Sequence, residues 1–254
     1  MHPARSRLPT RRVRLRGAVA LVLVAGCSAK EPSGERPSPS AEVLETVDAV
    51  LEAYGGKAAL EGVDAFRSEG LLVSHRGEQG TMVRWFERPD RLRVEIRYPD
   101  RGELRIVSGE AGWTGSSDRA LQPATTSFLD SMRLQAGRLD LPIRLLEGVT
   151  TLVTLAPDEK KRIVLGLPLD DHLFLDYHIH PKSHRIERVE MVLAGEDTLR
   201  FGVTLGEFRW IEGVLFPFKE DLDVSGEPTS TYLCSDVEVN PRVPVRLFGE
   251  EPEP

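Results

Sequence analysis

Arg91-Leu92-Arg93-Val94-Glu95-Ile96-Arg97-Tyr98 alternates polar and apolar residues without a break. Side chains of an extended chain point to opposite faces at successive positions, so this stretch predicts a strand with one wet and one buried face. Working outward, flanking runs predict strands over 66–74, 81–87 and 103–108. They are joined by His75-Arg76-Gly77, Arg88-Pro89-Asp90 and Pro99-Asp100-Arg101-Gly102, all turn chemistry, and 109–114 reads as a further turn containing Trp113. Strands resume at 150–155, 162–167, 173–179, 185–193, 199–211, 214–223 and 229–239. Gly195-Glu196-Asp197, Glu212-Gly213 and Gly226-Glu227-Pro228 serve as hairpin turns. The expected product is a meander of about eleven antiparallel strands, too large a sheet to stay flat, which should curl or close.

Two segments break the period of two. Val43, Leu44, Val47, Val50, Leu51 and Tyr54 recur at helical spacing until Gly55-Gly56, and Leu60 with Val63 suggests one more short turn. Between 125 and 146, Phe128, Leu129, Met132, Leu139, Ile143, Leu145 and Leu146 predict two short helices, or a helix and an apolar loop, interrupted at Pro142. The fold class expected is α+β, mainly β: an antiparallel incomplete β-barrel covered by an N-terminal helix and a central helical insert.

The N-terminal region gives an address. Arg5, Arg7, Arg11, Arg12, Arg14 and Arg16 precede an apolar run, 17–26, that ends in small residues. A basic region, a short apolar region and a small-residue cleavage site describe a secretory signal peptide over 1–26. The run is roughly half of what a helix needs to cross a bilayer. Val24-Ala25-Gly26-Cys27 resembles the lipobox of bacterial lipoproteins, which implies cleavage before Cys27 and its acylation, palmitate included. The alternative is an ordinary signal peptide with a cysteine nearby. Residues 27–40, rich in Pro and Ser, are expected to be the acylated cysteine and a disordered tether, 41–248 the folded domain and 249–254 an acidic tail.

Three further stretches carry a resemblance: Ala53-Tyr54-Gly55-Gly56 with Leu60 and Val63; Glu87-Arg88-Pro89-Asp90-Arg91-Leu92-Arg93; and Gly109 to Trp113. With Gly213-Val214-Leu215-Phe216-Pro217 and Val237-Glu238-Val239-Asn240, they resemble the lipoprotein-localisation (LolA/LolB-like) carrier domain. The resemblance implies an incomplete barrel whose concave apolar cavity holds acyl chains beneath a helical lid. It also implies that Ser28 after the acylated cysteine favours the outer membrane, facing the periplasm. Residues suited to line such a cavity are Trp85, Leu92, Val94, Ile96, Leu104, Ile106, Leu199, Phe201 and Val203, with Phe128, Leu129 and Met132 above. The same side chains would equally fill a plain hydrophobic core.

Composition excludes several functions. Loss of residues 1–26 removes six arginines and no acid, taking the formal charge from −7 to −13, which opposes nucleic-acid binding. Cys234 then has no intramolecular partner and reads as a small buried hydrophobe. No nucleophile elbow, zinc-protease helix, phosphate-binding loop or dinucleotide fingerprint is present, so neither an enzyme nor a cofactor is expected. One cluster is suggestive: Asp176, His178 and His180 share a strand face and could ligate a metal, though metal sites usually draw ligands from several elements. The reading is a membrane-anchored envelope lipoprotein that binds or transfers a lipid, a lipoprotein acyl chain or another apolar ligand, with an envelope protein as a further candidate partner. The alternatives are a non-enzymatic assembly or sensing module that docks a protein, and, more remotely, a metal-dependent enzyme using residues 176–184.

Overall fold

The computed structural model describes residues 39–116, 119–140, 142–196 and 198–249, all within one unit. The expected signal peptide, Cys27, most of the tether and 250–254 of the tail lie outside the described residues.

Helix α1 (Ala41–Ala53) starts where Ser40 accepts the Val43 N–H through its side chain, and ends at Gly55, whose positive φ no β-carbon would favour. After α2 (Lys57–Glu61) come six strands: β1 (Ala65–Ser74), β2 (Gln79–Glu87), β3 (Arg91–Arg97), β4 (Gly102–Ser108), β5 (Ala111–Ser116) and β6 (Arg119–Pro123). Two helices follow, α3 (Thr126–Leu139) and α4 (Ile143–Glu147). The chain then returns to strands β7 (Val153–Leu155), β8 (Ile163–Pro168), β9 (Leu173–Ile179), β10 (Ile186–Leu193), β11 (Leu199–Gly206), β12 (Arg209–Ile211), β13 (Val214–Phe216), β14 (Lys219–Val224) and β15 (Glu227–Val239).

Thirteen of these strands form one antiparallel sheet in the order β6-β5-β4-β3-β2-β1-β15-β14-β11-β10-β9-β8-β7, while β12 and β13 pair separately. The sheet is not closed into a barrel. It consists of two meanders joined where β1 pairs with β15 (Phe66 opposite Val239, Leu72 opposite Tyr232), with a bulge at Glu69/Gly70. Gly70 is required there, since a β-carbon would stand 2.1 Å from the Leu233 carbonyl oxygen.

The architecture matches the expected half-barrel, but fifteen described strands replace the expected eleven. Gly112 and Gly115 disguised β5: a β-carbon at Gly112 would meet Leu129 of α3 at 2.8 Å, and one at Gly115 would meet Leu121 at 3.2 Å. Close packing selected glycine and erased the alternation. The expected strand 199–211 breaks at Glu207, which has a left-handed φ of 50°. The expected strand 214–223 breaks at Pro217, which cannot donate to a ladder. The β12–β13 hairpin between them folds onto the end of α1, where the Leu215 N–H donates to the Tyr54 carbonyl at 3.1 Å.

Two buried clusters fill the concave side. One joins Val43, Val47 and Val50 of α1 to Leu165, Leu175, Tyr177, Val189 and Val203 of β8–β11. The other joins Phe66, Phe86, Leu92 and Val107 to Tyr232 and Val237 of β15. Helix α3 spans both, with Leu134 in the first and Met132 and Ala136 in the second. On the opposite face the chain after β15 crosses β3–β5. Arg93 donates to the Leu247 carbonyl at 3.0 Å, Phe248 lies buried under the Arg91 guanidinium, and a β-carbon on Gly249 would touch Trp113.

Replacing Gly70 by Ala should cost about 1–3 kcal/mol in urea unfolding, because backbone must move to admit the methyl group. Gly195→Ala, with open space at its β-carbon, should stay within about 0.5 kcal/mol.

Candidate functional site: the cleft between helix α3 and the sheet

The register decides which expected lining residues face the concave side. Phe86 pairs with Leu92, Arg84 with Val94 and Met82 with Ile96, and Leu92, Val94 and Ile96 are buried there. Met132 packs on the same cluster, with Phe128 and Leu129 partly buried beside it. Phe201 and Val203 belong to the other cluster. Leu199 is opposite Leu193 but lies 42% exposed at the strand start.

Of the expected lining residues, Trp85, Leu104 and Ile106 turn the other way. Trp85, Arg93 and Ile106 are register partners on the convex face, and Leu104 joins them opposite Glu95. Trp85 stacks on Arg67 with 5.7 Å from guanidinium carbon to ring centroid. The phase error in β4 has a physical source. The crossing C-terminal segment shields part of the convex face, so Ile106 is fully buried there and Val107 is the residue that faces inward.

The two clusters touch at partly buried Phe216 and Leu222, which pack against both, but they do not merge along their whole length. Between them is an ionic triad that the sequence reading did not single out. Both Glu220 oxygens take Arg84 (Nη2 to Oε1 2.8 Å, Nη1 to Oε2 3.0 Å), and Arg138 of α3 donates to Oε2 at 3.1 Å. Arg84 Nε donates to Ser68 Oγ at 3.2 Å, and its guanidinium lies 4.3 Å from the Tyr232 ring. All three charged side chains are at least 94% buried. A signal existed in the sequence: in Met82-Val83-Arg84-Trp85-Phe86 the period of two puts Arg84 on the apolar face.

The electrostatics follow from burial and pairing. For Glu220, burial favours the neutral acid, but the pull of Arg138 and Arg84 prevails and brings its pKa down to about 2. Burial opposes the charge on Arg84, yet Glu220 holds it above its ordinary value. Arg138, with a poorer share of the carboxylate, is pulled below its ordinary value by burial, Arg84 adding to the effect.

Two small cavities lie along this seam. One of about 40 Å³ is lined by the triad, Ser68, Cys234, Phe66, Leu139, Phe216 and neighbours. The second, about 20 Å³, shares the walls Phe66, Leu139 and Phe216 and reaches Arg88 and Asp140. Asp140 lies 2.8 Å from Arg88 Nε, but burial outweighs that attraction and pushes its pKa up to about 7. Among the described residues the voids along this seam are thus small and separate. Larger concavities occur elsewhere: a groove of about 390 Å³ by Val83 and Trp85 on the convex face, and an open charged one of about 530 Å³ by the β3–β4 hairpin.

The histidine-rich stretch does not converge. His178 Nδ1 lies 2.8 Å from Asp158, which also binds Arg162 at 2.6 Å. Asp176 is 3.7 Å from Arg200, and His180 Nδ1 accepts the Lys182 and Ser183 N–H groups inside its own turn. Among the described residues no group of three metal-ligating side chains forms.

With this geometry in place, the likeness to known structures can be read. An outer membrane lipoprotein-sorting protein domain from Vibrio parahaemolyticus superposes with a TM-score of 0.54 at 11% identity, covering 82% of this chain and 97% of its own. A LolA-superfamily protein from Nitrosomonas europaea gives 0.53 at 15% identity, covering 80% and 97%. The chain therefore has a LolA-like fold, and at these identities the likeness concerns the fold. No protein-family model matches the chain, and no curated protein does.

Glu220→Gln leaves two buried guanidiniums without their anion and should cost about 3–5 kcal/mol in denaturant unfolding at pH 7. Glu220 is depressed on folding, so its contribution should be full above about pH 4.5 and fade as pH falls towards about 2. Asp140 runs the other way. Its folded state holds the proton more tightly, so stability should fall as pH rises from about 4 to 7, and Asp140→Asn should flatten that limb of the stability curve.

Proposed function

We propose that this chain is an envelope lipoprotein, anchored through acylated Cys27, whose half-barrel binds and passes on a lipid or lipoprotein acyl chain. The outer membrane, facing the periplasm, is the location proposed for it. The reading gives the domain no catalytic role and needs no cofactor.

One observation carries it: in a fold shared with lipoprotein-sorting proteins, α3 closes the concave apolar face along an incompletely packed seam. Polar ties hold much of that helix. Arg138 meets Glu220, Arg133 reaches Asp170 at 3.1 Å, and Asp130 lies 3.3 Å from His172 Nε2. Ionic ties recover hydration when they open, so their net cost of release is far below their Coulomb energy. Swinging α3 away would uncover Leu92, Val94, Met132 and the rest of that cluster, and each CH₂ of a chain laid there would gain about 0.8 kcal/mol. Because cargo must also leave, binding should be of moderate strength and α3 mobile.

A second reading has its own support. The packed interior and the convex groove beside Trp85 suit a module that docks an envelope protein and holds no lipid.

Two measurements test these readings. The parent chain should incorporate labelled palmitate and the Cys27→Ser variant should not. Residues 28–254, secreted behind a cleavable signal peptide and purified from the periplasm without detergent, should then yield about one equivalent of a single lipid class by mass spectrometry of the organic extract. A lipid-free extract, together with failure to take up lipid from vesicles, would reject the carrier in favour of the docking module.

A further inference from the structure

We propose that the cleft under α3 receives an acyl chain ending in a single oxyanion, a fatty carboxylate being the smallest, and that Arg138 is the residue that pairs with it. The inference rests on the carrier reading and specifies its cargo.

Two guanidiniums and one carboxylate are buried together, and among the described residues Glu220 is the anion that pairs with either arginine. Arg84 takes both carboxylate oxygens, so Arg138 holds only a share of Oε2. Its Nε is buried and has no hydrogen-bond partner. Nothing nearby supplies the missing charge. Burial keeps the Cys234 thiol and the Tyr232 phenol protonated, and Asp140 is engaged with Arg88 beyond the shared wall. One positive charge is thus left over in a desolvated setting, where an unmatched ion is costly. A monoanion would cancel it and satisfy the free N–H.

Shape narrows the class. The cavity of about 40 Å³ at the triad has room for roughly three waters, or for one carboxylate. From there the walls turn apolar: Phe66, Leu139, Phe216 and Val237, and past the first three lies the second void with Val63 and Ile143. A polar end of matching charge opening onto an apolar seam fits an amphiphile, whereas a free anion would make no use of the seam. The chain follows the path along which α3 separates from the sheet.

The test uses the delipidated full chain and cis-parinaric acid, a fluorescent fatty acid, against its methyl ester. The acid should bind about tenfold tighter or better, the value of a charged hydrogen bond in a desolvated site. Oleate should displace it, while acetate and inorganic phosphate at the same concentration should not. In Arg138→Met the acid-to-ester ratio should fall to about one, with a melting temperature no lower than the parent's, because the surplus charge is gone. Arg67→Gln, on the convex face, should leave the ratio unchanged.

Equal binding of acid and ester by the parent overturns the inference and leaves the carrier reading standing. A preserved ratio with a lowered melting temperature in Arg138→Met assigns Arg138 to structure alone and also overturns it. Displacement by acetate or phosphate would make the site one for free anions, and stronger displacement by oleoyl lysophosphatidate would overturn the carboxylate assignment. Binding of neither acid nor ester rejects the carrier reading with it.

Discussion

The ladder between β1 and β15 joins two meanders, and the buried carboxylate of Glu220 pins that joint from the inside. Ser68 and Arg84 come from β1 and β2, Glu220 and Tyr232 from β14 and β15, so one polar network crosses the joint between the meanders. Arg138 adds the helix. Remove the carboxylate and two guanidiniums remain, with no other described side chain paired to either of those buried charges through an ion pair. The same space lies between the two apolar clusters, which meet at Phe216 and Leu222.

A buried ion triad is a poor source of net stability, since desolvation absorbs most of the Coulomb gain. What it does supply is position. Apolar contacts between α3 and the sheet tolerate sliding, whereas a guanidinium shared on one carboxylate oxygen fixes the helix to within a hydrogen-bond length. The arrangement suits a cover that must return to one place after being lifted, and it leaves α3 dependent on Asp130, Arg133 and Arg138 as much as on its apolar stripe.

Much of the fold was legible because burial on one face only writes a period of two. That rule placed β1–β4 and β8–β10 to within two residues at each end, and the change to helical spacing marked α1, α3 and α4. It failed where another demand overrode it. Gly112 and Gly115 answer to close packing, Glu207 and Pro217 to chain reversal, and Ile106 to a covering segment from far along the chain. The cleft was only half legible. Its apolar walls look like any core, while Arg84 and Glu220 were written on the inward phase but could be recognised as partners only once β1 and β15 were known to be neighbours.

That neighbourhood has a consequence in time. Ser68 and Tyr232 touch across 164 positions, so the middle of the sheet cannot assemble until nearly the whole chain has been synthesised. Pairing so remote in sequence closes slowly, and neither meander holds the triad alone. A nascent polypeptide of this design stays without its central ladder, and without its buried triad, until its last strands are made. The strand order that shapes the finished molecule thus also sets how late in synthesis it can form.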